Sequence, residues 1–277
     1  MKIESFAPGK IILSGEYAVV FGYPGIAVPS PIGMKVTFEE KPDAKKIDVK
    51  WKGMPKEWKK YLESIIEHCR NLGCDMKGTL TIDNALPLGK GMGSSTSLVI
   101  GVCRCLLGEN CRDTALAVED SVNPGHSGVD FNVIWMNSPI LFMKGQEVEK
   151  IDSDLKPLKG AYLIDTGEPN ETTPELVSWI GERKKELTPV FKRITDCTNR
   201  IASGNDWNDI ISEHNKAQIE LGVIPENVQE FIELIENKGG AAKVIGAGCR
   251  TGGAGMILAI GISESVLKDQ QFPYFPL

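Results

Sequence analysis

The segment PLGKGMGSSTS (87–97) sets Gly89, Gly91 and Gly93 beside the hydroxyls of Ser94, Ser95 and Thr96, directly ahead of an apolar run. Glycines let a backbone curl closely around an anion. The first N–H groups of a helix have no intrahelical partner and sit at the positive end of its dipole. A phosphate placed there is stabilised by about 0.3–2 kcal/mol beyond its direct hydrogen bonds. Hydroxyls at such a point cap the helix, bind phosphate oxygens or ligate Mg²⁺, and an ordinary serine-capped turn would use the same residues. The pattern GxxxxGK[ST] is absent and no GxGxxG follows a strand, so neither the usual P-loop nor the dinucleotide fingerprint is present. A second cluster, Gly246, Gly248, Gly252 and Gly253, is glycine-dense for a plain hairpin turn. Asp130 follows Gly128 in SGVD, where a carboxylate can accept a proton or merely close a turn. Lys10, taken alone, reads as a solvated surface lysine.

These residues need elements to hold them. Leu80 to Leu86 alternates like a strand, the glycine loop follows, and Ser95 to Leu107 is apolar enough for a buried helix. Between Pro55 and Leu72 the positions Trp58, Tyr61, Leu62, Ile65, Ile66 and Cys69 fall at helical spacing, with Gly73 as the stop. Lys10 to Val28 reads as short strands joined by turns at Gly15, Gly22 and Gly25. Further on, GAYLIDTG (160–167) is a buried strand, and Pro174 to Lys185 and Pro189 to Ser203 are helices. ENVQEFIELIENKGG (226–240) is a helix ending on glycine, and KVIGAG and GMILAIGI are strands around the second glycine-rich turn. The polar stretch from Glu149 to Lys159 marks the boundary between two α+β domains, 1–155 and 156–277.

Composition bounds the function. A chain of 277 residues with 42% hydrophobic content buries a substantial core, and two domains is the natural division. A net charge of −6 excludes nucleic acid and anionic membrane surfaces as general partners, so an anionic ligand must meet local positive groups. The seven cysteines are scattered without a CxxC pair, which fits a reducing cytosol better than a disulfide framework. Only three histidines occur, His68, His126 and His214, none at zinc-ligand spacing. The start has no apolar core of signal-peptide length, and no run approaches the roughly 18 apolar residues of a membrane span. The chain reads as cytoplasmic.

Three stretches, APGKIILSGEYAVVFGYP (7–24), the glycine loop and KVIGAGCRTGGAGMILAI (243–260), resemble in this order the three motifs of the GHMP family of small-molecule kinases. Within that family HSGVDFNVIWMNSPILFMKG (126–145), LIDTG (163–167) and the segment 213–248 resemble the mevalonate kinases, bacterial ones in particular. The resemblance implies the two-domain GHMP kinase fold, α+β in class. Its N-terminal domain is ribosomal S5 domain 2-like and its C-terminal domain ferredoxin-like. It also implies phosphorylation of the 5-hydroxyl of mevalonate by ATP with Mg²⁺, in isoprenoid precursor biosynthesis, by a chain that could pair as a homodimer.

Carried over residue by residue, the resemblance makes Asp130 the catalytic base and Lys10 the lysine that keeps it ionised and favours the developing alkoxide. Gly89, Lys90, Gly91, Met92, Gly93, Ser94, Ser95 and Thr96 would hold the nucleotide phosphates, with Ser95 and Glu119, eleven residues before Asp130, on the metal. Lys10, Glu16, Tyr17, Ser127, Asp130, Thr166, Gly246 and Gly248 would surround the substrate. For Thr166 the alternative is a hydroxyl that satisfies the end of a strand.

Some positions depart from the family. Tyr17 stands where mevalonate kinases usually carry a histidine, and tyrosine there is more typical of phosphomevalonate kinase. NPGHSGVD (123–130) replaces the more usual His-Gly-x-Pro before the Ser-Gly pair. The third motif carries the longer CRTGGAG, and the chain stops soon after FPYFPL, short of the last helix and strand expected of the second domain.

Overall fold

A computed structural model describes residues 1–151, 158–204 and 207–277. The chain is α+β and its residues cluster into two compact units, each discontinuous in sequence. The first holds Met1–Lys10, Pro29–Leu88 and Gly93–Asn137; the second holds Ile11–Val28, Gly89–Met92 and Ser138–Leu277. This differs from the contiguous division at residue 155. Two long N-terminal strands, β1 (Lys2–Ser14) and β2 (Gly25–Glu40), contribute to both units, and four residues of the glycine loop belong to the second. Of the polar stretch expected at the boundary, residues 152–157 lie outside the described residues.

In the first unit β3 (Ile47–Trp51) and β4 (Gly78–Asn84) run parallel, Ile47 opposite Gly78 and Trp51 opposite Ile82. The far part of β2 pairs antiparallel with β4, from Met34 opposite Asn84 to Glu40 opposite Gly78. The β3–β4 crossover is α1 (Lys56–Asn71), whose face of Leu62, Ile65, Ile66 and Cys69 is buried, as its spacing predicts. The strand before the glycine loop and the helix after it also form as expected, the latter as α2 (Ser94–Leu107). This helix is apolar nearly all round and therefore lies in the core. Its Gly101 is required by close packing: a Cβ there would stand 2.7 Å from Val36 Cγ2. Helices α3 (Arg112–Val122) and α4 (Val129–Met136) complete the unit. Neither was expected from sequence, because α3 is short and half polar and α4 is apolar without a helical stripe.

The second unit is built on an antiparallel sheet of β7 (Tyr162–Asp165), β8 (Ala241–Val244), β9 (Met256–Ile260) and β10 (Tyr274–Pro276), in the order β10-β7-β9-β8. A short pair, β5 (Ile140–Phe142) with β6 (Glu149–Lys150), continues from the near end of β2, where Gly25 faces Phe142. The helices are α5 (Thr173–Glu182), α6 (Thr188–Ala202), α7 (Trp207–Leu221), α8 (Glu226–Glu236) and α9 (Ser265–Lys268). The first begins with a capping box between Thr172 and Glu175, with Pro174 in its first turn. Ile164, Phe191, Ile194, Leu221, Phe231, Val244 and Ile257 centre the apolar core. After β9 come α9 and β10, and Tyr274 pairs with Ile164.

Candidate active site

In the first unit the chemistry collects around the start of α2. Gly93 caps that helix with φ +72°, and a Cβ there would lie 3.0 Å from Lys10 Cγ and 3.5 Å from Asp130 Oδ2. Only a glycine lets the helix start sit this close to both side chains. Lys10 Nζ is 3.6 Å from Asp130 Oδ1. The sequence reading of a solvated lysine is reversed, since Lys10 is 3% exposed. Asp130 stands in the first turn of α4, and local bonds set that turn. Ser127 Oγ accepts from the Val129 N–H, Asn132 Nδ2 donates to Gly128 O, and Arg112 donates to Asn132 Oδ1 at 2.9 Å.

Glu119, on α3, is buried and accepts the Thr96 hydroxyl at 2.7 Å through Oε1. Its Oε2 is buried without a well-formed hydrogen bond. Burial raises its pKa, Asp130 adds to the rise, and the hydrogen bonds from Thr96 and Asn123 work against it. An orphaned carboxylate oxygen in a dry setting fits a cation that takes few protein ligands and several waters, which is how Mg²⁺ binds. The hydroxyl that meets Glu119 is that of Thr96, the residue after Ser95. Among the described residues no group of three or more His, Cys, Asp or Glu side chains is placed to hold a metal by itself.

In the second unit Lys90 Nζ lies 2.5 Å from Asp165 Oδ2, with both side chains largely buried. Asp165 also accepts the Gly167 N–H at 3.0 Å, so this lysine of the glycine loop is neutralised by a carboxylate at the end of β7. Gly91 and Gly246 touch backbone to backbone: a Cβ on Gly246 would lie 2.8 Å from Gly91 Cα. Gly248 is equally constrained, since φ is +67° and a Cβ would strike Val223 O at 2.1 Å.

Three residues expected at the substrate are turned inward. Glu16, 3% exposed, pairs with Lys243 and lies 3.1 Å from His214 Nε2. Burial works to raise its pKa, but the Lys243 ammonium and His214 outweigh it and hold the carboxyl at about 2. The His214 pKa is lowered from its ordinary value, first by burial and then by the Lys243 ammonium, while Glu16 works against the fall. Thr166 donates to Gly255 O at 2.8 Å and accepts the Ala254 N–H at 3.0 Å, the strand-end role left open in its sequence. Tyr17 is buried with its hydroxyl donating to Ala247 O. Its φ of +64° and ψ of −44° put a bulky residue in a sparsely populated region, a strain of about 1–3 kcal/mol. Sequence reasoning missed Asp165, Lys243 and His214. A lysine inside the apolar run AAKVI was the one available signal for Lys243.

A glycine-capped buried helix, a lysine-paired carboxylate and an adjacent glutamate with a buried free oxygen have the chemistry that phosphoryl transfer needs, and over most of its length the chain is similar to small-molecule kinases of the GHMP family. Within that family the likeness is to the mevalonate kinases. No family model matches the chain. It is 25% identical to the mevalonate kinase of Archaeoglobus fulgidus over 260 residues, covering 87% of this chain and 88% of that protein. It is also 25% identical to that of Methanothermobacter thermautotrophicus, over 94% and 90% of the two chains. The crystal structure of Methanococcus jannaschii mevalonate kinase superposes with a TM-score of 0.81 at 20% identity, over 99% of this chain and 96% of that one. The structure of L. major mevalonate kinase in complex with R-mevalonate gives 0.76 at 17% identity, over 96% and 89%. Streptococcus pneumoniae phosphomevalonate kinase, in complex with phosphomevalonate and AMPPNP, gives 0.72 at 16% identity, over 96% and 94%. A special likeness to bacterial enzymes is not shown, since these two curated relatives are archaeal.

Proposed function

We propose that the chain transfers the γ-phosphoryl group of ATP to the 5-hydroxyl of mevalonate, giving 5-phosphomevalonate and ADP, a step in isoprenoid precursor biosynthesis. The observation that carries this reading is the Lys10–Asp130 pair against Gly93 at the start of α2. The substrate oxygen attacks the γ-phosphorus, its proton passes to an Asp130 carboxylate oxygen, and the bond to the ADP oxygen breaks. The Lys10 ammonium, 3.6 Å from Asp130, would stabilise the negative charge that develops on the alkoxide. Residues 89–96 receive the phosphates through backbone N–H groups and the hydroxyls of Ser94, Ser95 and Thr96. Glu119 with Ser95 or Thr96 would hold Mg²⁺, which supplies neutralisation of the triphosphate charge. The cytoplasmic location and the homodimer belong to the same reading and rest on the family likeness. Among the described residues no helix is long and apolar enough to cross a membrane.

An ADP-release assay with ATP, Mg²⁺ and, in parallel, mevalonate, phosphomevalonate, galactose and homoserine tests the reading. Turnover of mevalonate alone supports it. Turnover of phosphomevalonate alone replaces it with the kinase that Tyr17 suggested in the sequence, and silence with every acceptor leaves a nucleotide-binding protein of this fold.

A further inference from the structure

Tyr17 is the residue on which the sequence divided mevalonate from phosphomevalonate as substrate, and its geometry gives it another task. The chain enters a 3-10 turn at Ala18–Phe21 directly after Tyr17. Tyr17, at positive φ, belongs to the same buried apolar cluster of the second unit as Ile164, Val223 and Ala254 and is 4% exposed. There its hydroxyl meets the carbonyl of Ala247, the middle residue of the Gly246–Gly248 turn. That turn in its turn presses on the glycine loop: a Cβ on Gly91 would lie 3.1 Å from Gly246 Cα. The two contacts, joined by the Gly246–Ala247 peptide, form one line from Tyr17 to Gly91.

We propose that Tyr17 is a positioning residue for the nucleotide: by binding Ala247 O it holds the Gly246–Gly248 turn against Gly91, and it does not read the phosphoryl acceptor. This rests on the kinase reading above. A histidine is too short to span from the same backbone position to Ala247 O, so the tyrosine marks how the two glycine turns are tied together here and carries no information about a second phosphate on the substrate. A buried hydroxyl satisfied by the part-buried Ala247 carbonyl also explains why a strained backbone is tolerated at Tyr17.

The test is Y17F, which keeps the ring and removes the donor. Calorimetric titration of the full chain with a non-hydrolysable ATP analogue and Mg²⁺ is expected to show about fivefold to thirtyfold weaker binding, while KM for mevalonate stays within about twofold. G91A, whose Cβ would push on Gly246, is expected to weaken the analogue likewise, and the loss in Y17F/G91A to be smaller than the product of the single losses. A folded Y17F with wild-type affinity for the analogue overturns the proposal, as does a rise in mevalonate KM alone or a multiplicative double variant. Should Y17F melt below the working temperature, G91A decides, and unchanged affinity there overturns the contact between turns. A wild type that binds the analogue but leaves mevalonate untouched sinks the substrate assignment without touching the role of Tyr17; a wild type that does not bind the analogue overturns both.

Discussion

Lys10 Nζ lies 3.6 Å from Asp130 Oδ1, the lysine side chain 4% exposed and the aspartate 34%. The asymmetry matters because the cation is held inside the protein while the carboxylate keeps a face that a ligand can reach. A surface ion pair would have both partners solvated and be worth little. Here a desolvated ammonium acts at short range on a carboxylate whose free edge remains open.

Asp130→Asn is therefore expected to lower kcat by about 100-fold to 10,000-fold with a melting temperature close to wild type, because the amide keeps the shape and loses the base. Lys10→Met should lower kcat as well and also destabilise, since it leaves Asp130 without its buried partner. Steady-state kinetics with thermal melts check both, and a D130N loss under about tenfold would remove Asp130 from the role of base.

The metal assignment turns on Glu119 and the hydroxyl that orients it. Glu119→Gln should raise the Mg²⁺ concentration needed for half-maximal activity by about tenfold or more, and Thr96→Val, which removes the 2.7 Å hydrogen bond, should move it in the same direction. Titrating activity with Mg²⁺ at saturating ATP reads the effect. If Ser95→Ala moves the Mg²⁺ requirement and T96V does not, the sequence assignment of Ser95 is the better one.

Lys90 and Asp165 neutralise each other with only 20% and 16% of their side chains exposed. Asp165→Asn leaves a largely buried ammonium without its carboxylate, and about 1–3 kcal/mol of stability should be lost. K90M/D165N should recover much of that loss, because removing both charges also removes their desolvation cost. Chemical denaturation of the two single variants and the double variant closes the cycle. Independent, additive losses would mean that the two side chains do not act as a pair.

The cluster of Glu16, Lys243 and His214 makes a prediction about acid. His214 is lowered from its ordinary 6.5 and Glu16 from 4.5 to about 2, so below each ordinary value the unfolded chain binds more protons than the folded one. Stability should fall as pH drops below 6.5 through the histidine, and fall further from 4.5 toward 2 through the glutamate. Urea midpoints measured from pH 7 to pH 4 should decline, and Glu16→Gln should start lower and flatten the part below 4.5. A midpoint constant across this range would contradict the buried ion pair.

The linear signals were legible before any coordinates. The period of Leu62, Ile65, Ile66 and Cys69 made α1, the apolar run after Gly93 made α2, and the order of strand, glycine loop and helix set the loop at a helix start, because these features depend on neighbours in the chain. The motif order across 7–24, 87–97 and 243–260 carried the resemblance to the GHMP kinases, and that resemblance set Lys10 beside Asp130. What the sequence could not decide was which polar side chains face a ligand and which are spent on the protein itself. Glu16, Tyr17 and Thr166 are all polar and all near motifs, yet each is turned onto partners more than 80 positions away: Lys243, Ala247 and Gly255. Likewise Asp165 neutralises Lys90 across 75 positions. Such partners are chosen by where packed elements bring backbone carbonyls and charges together in a dry interior. There an unpaired polar group costs too much to leave alone, and that cost has no trace in local spacing.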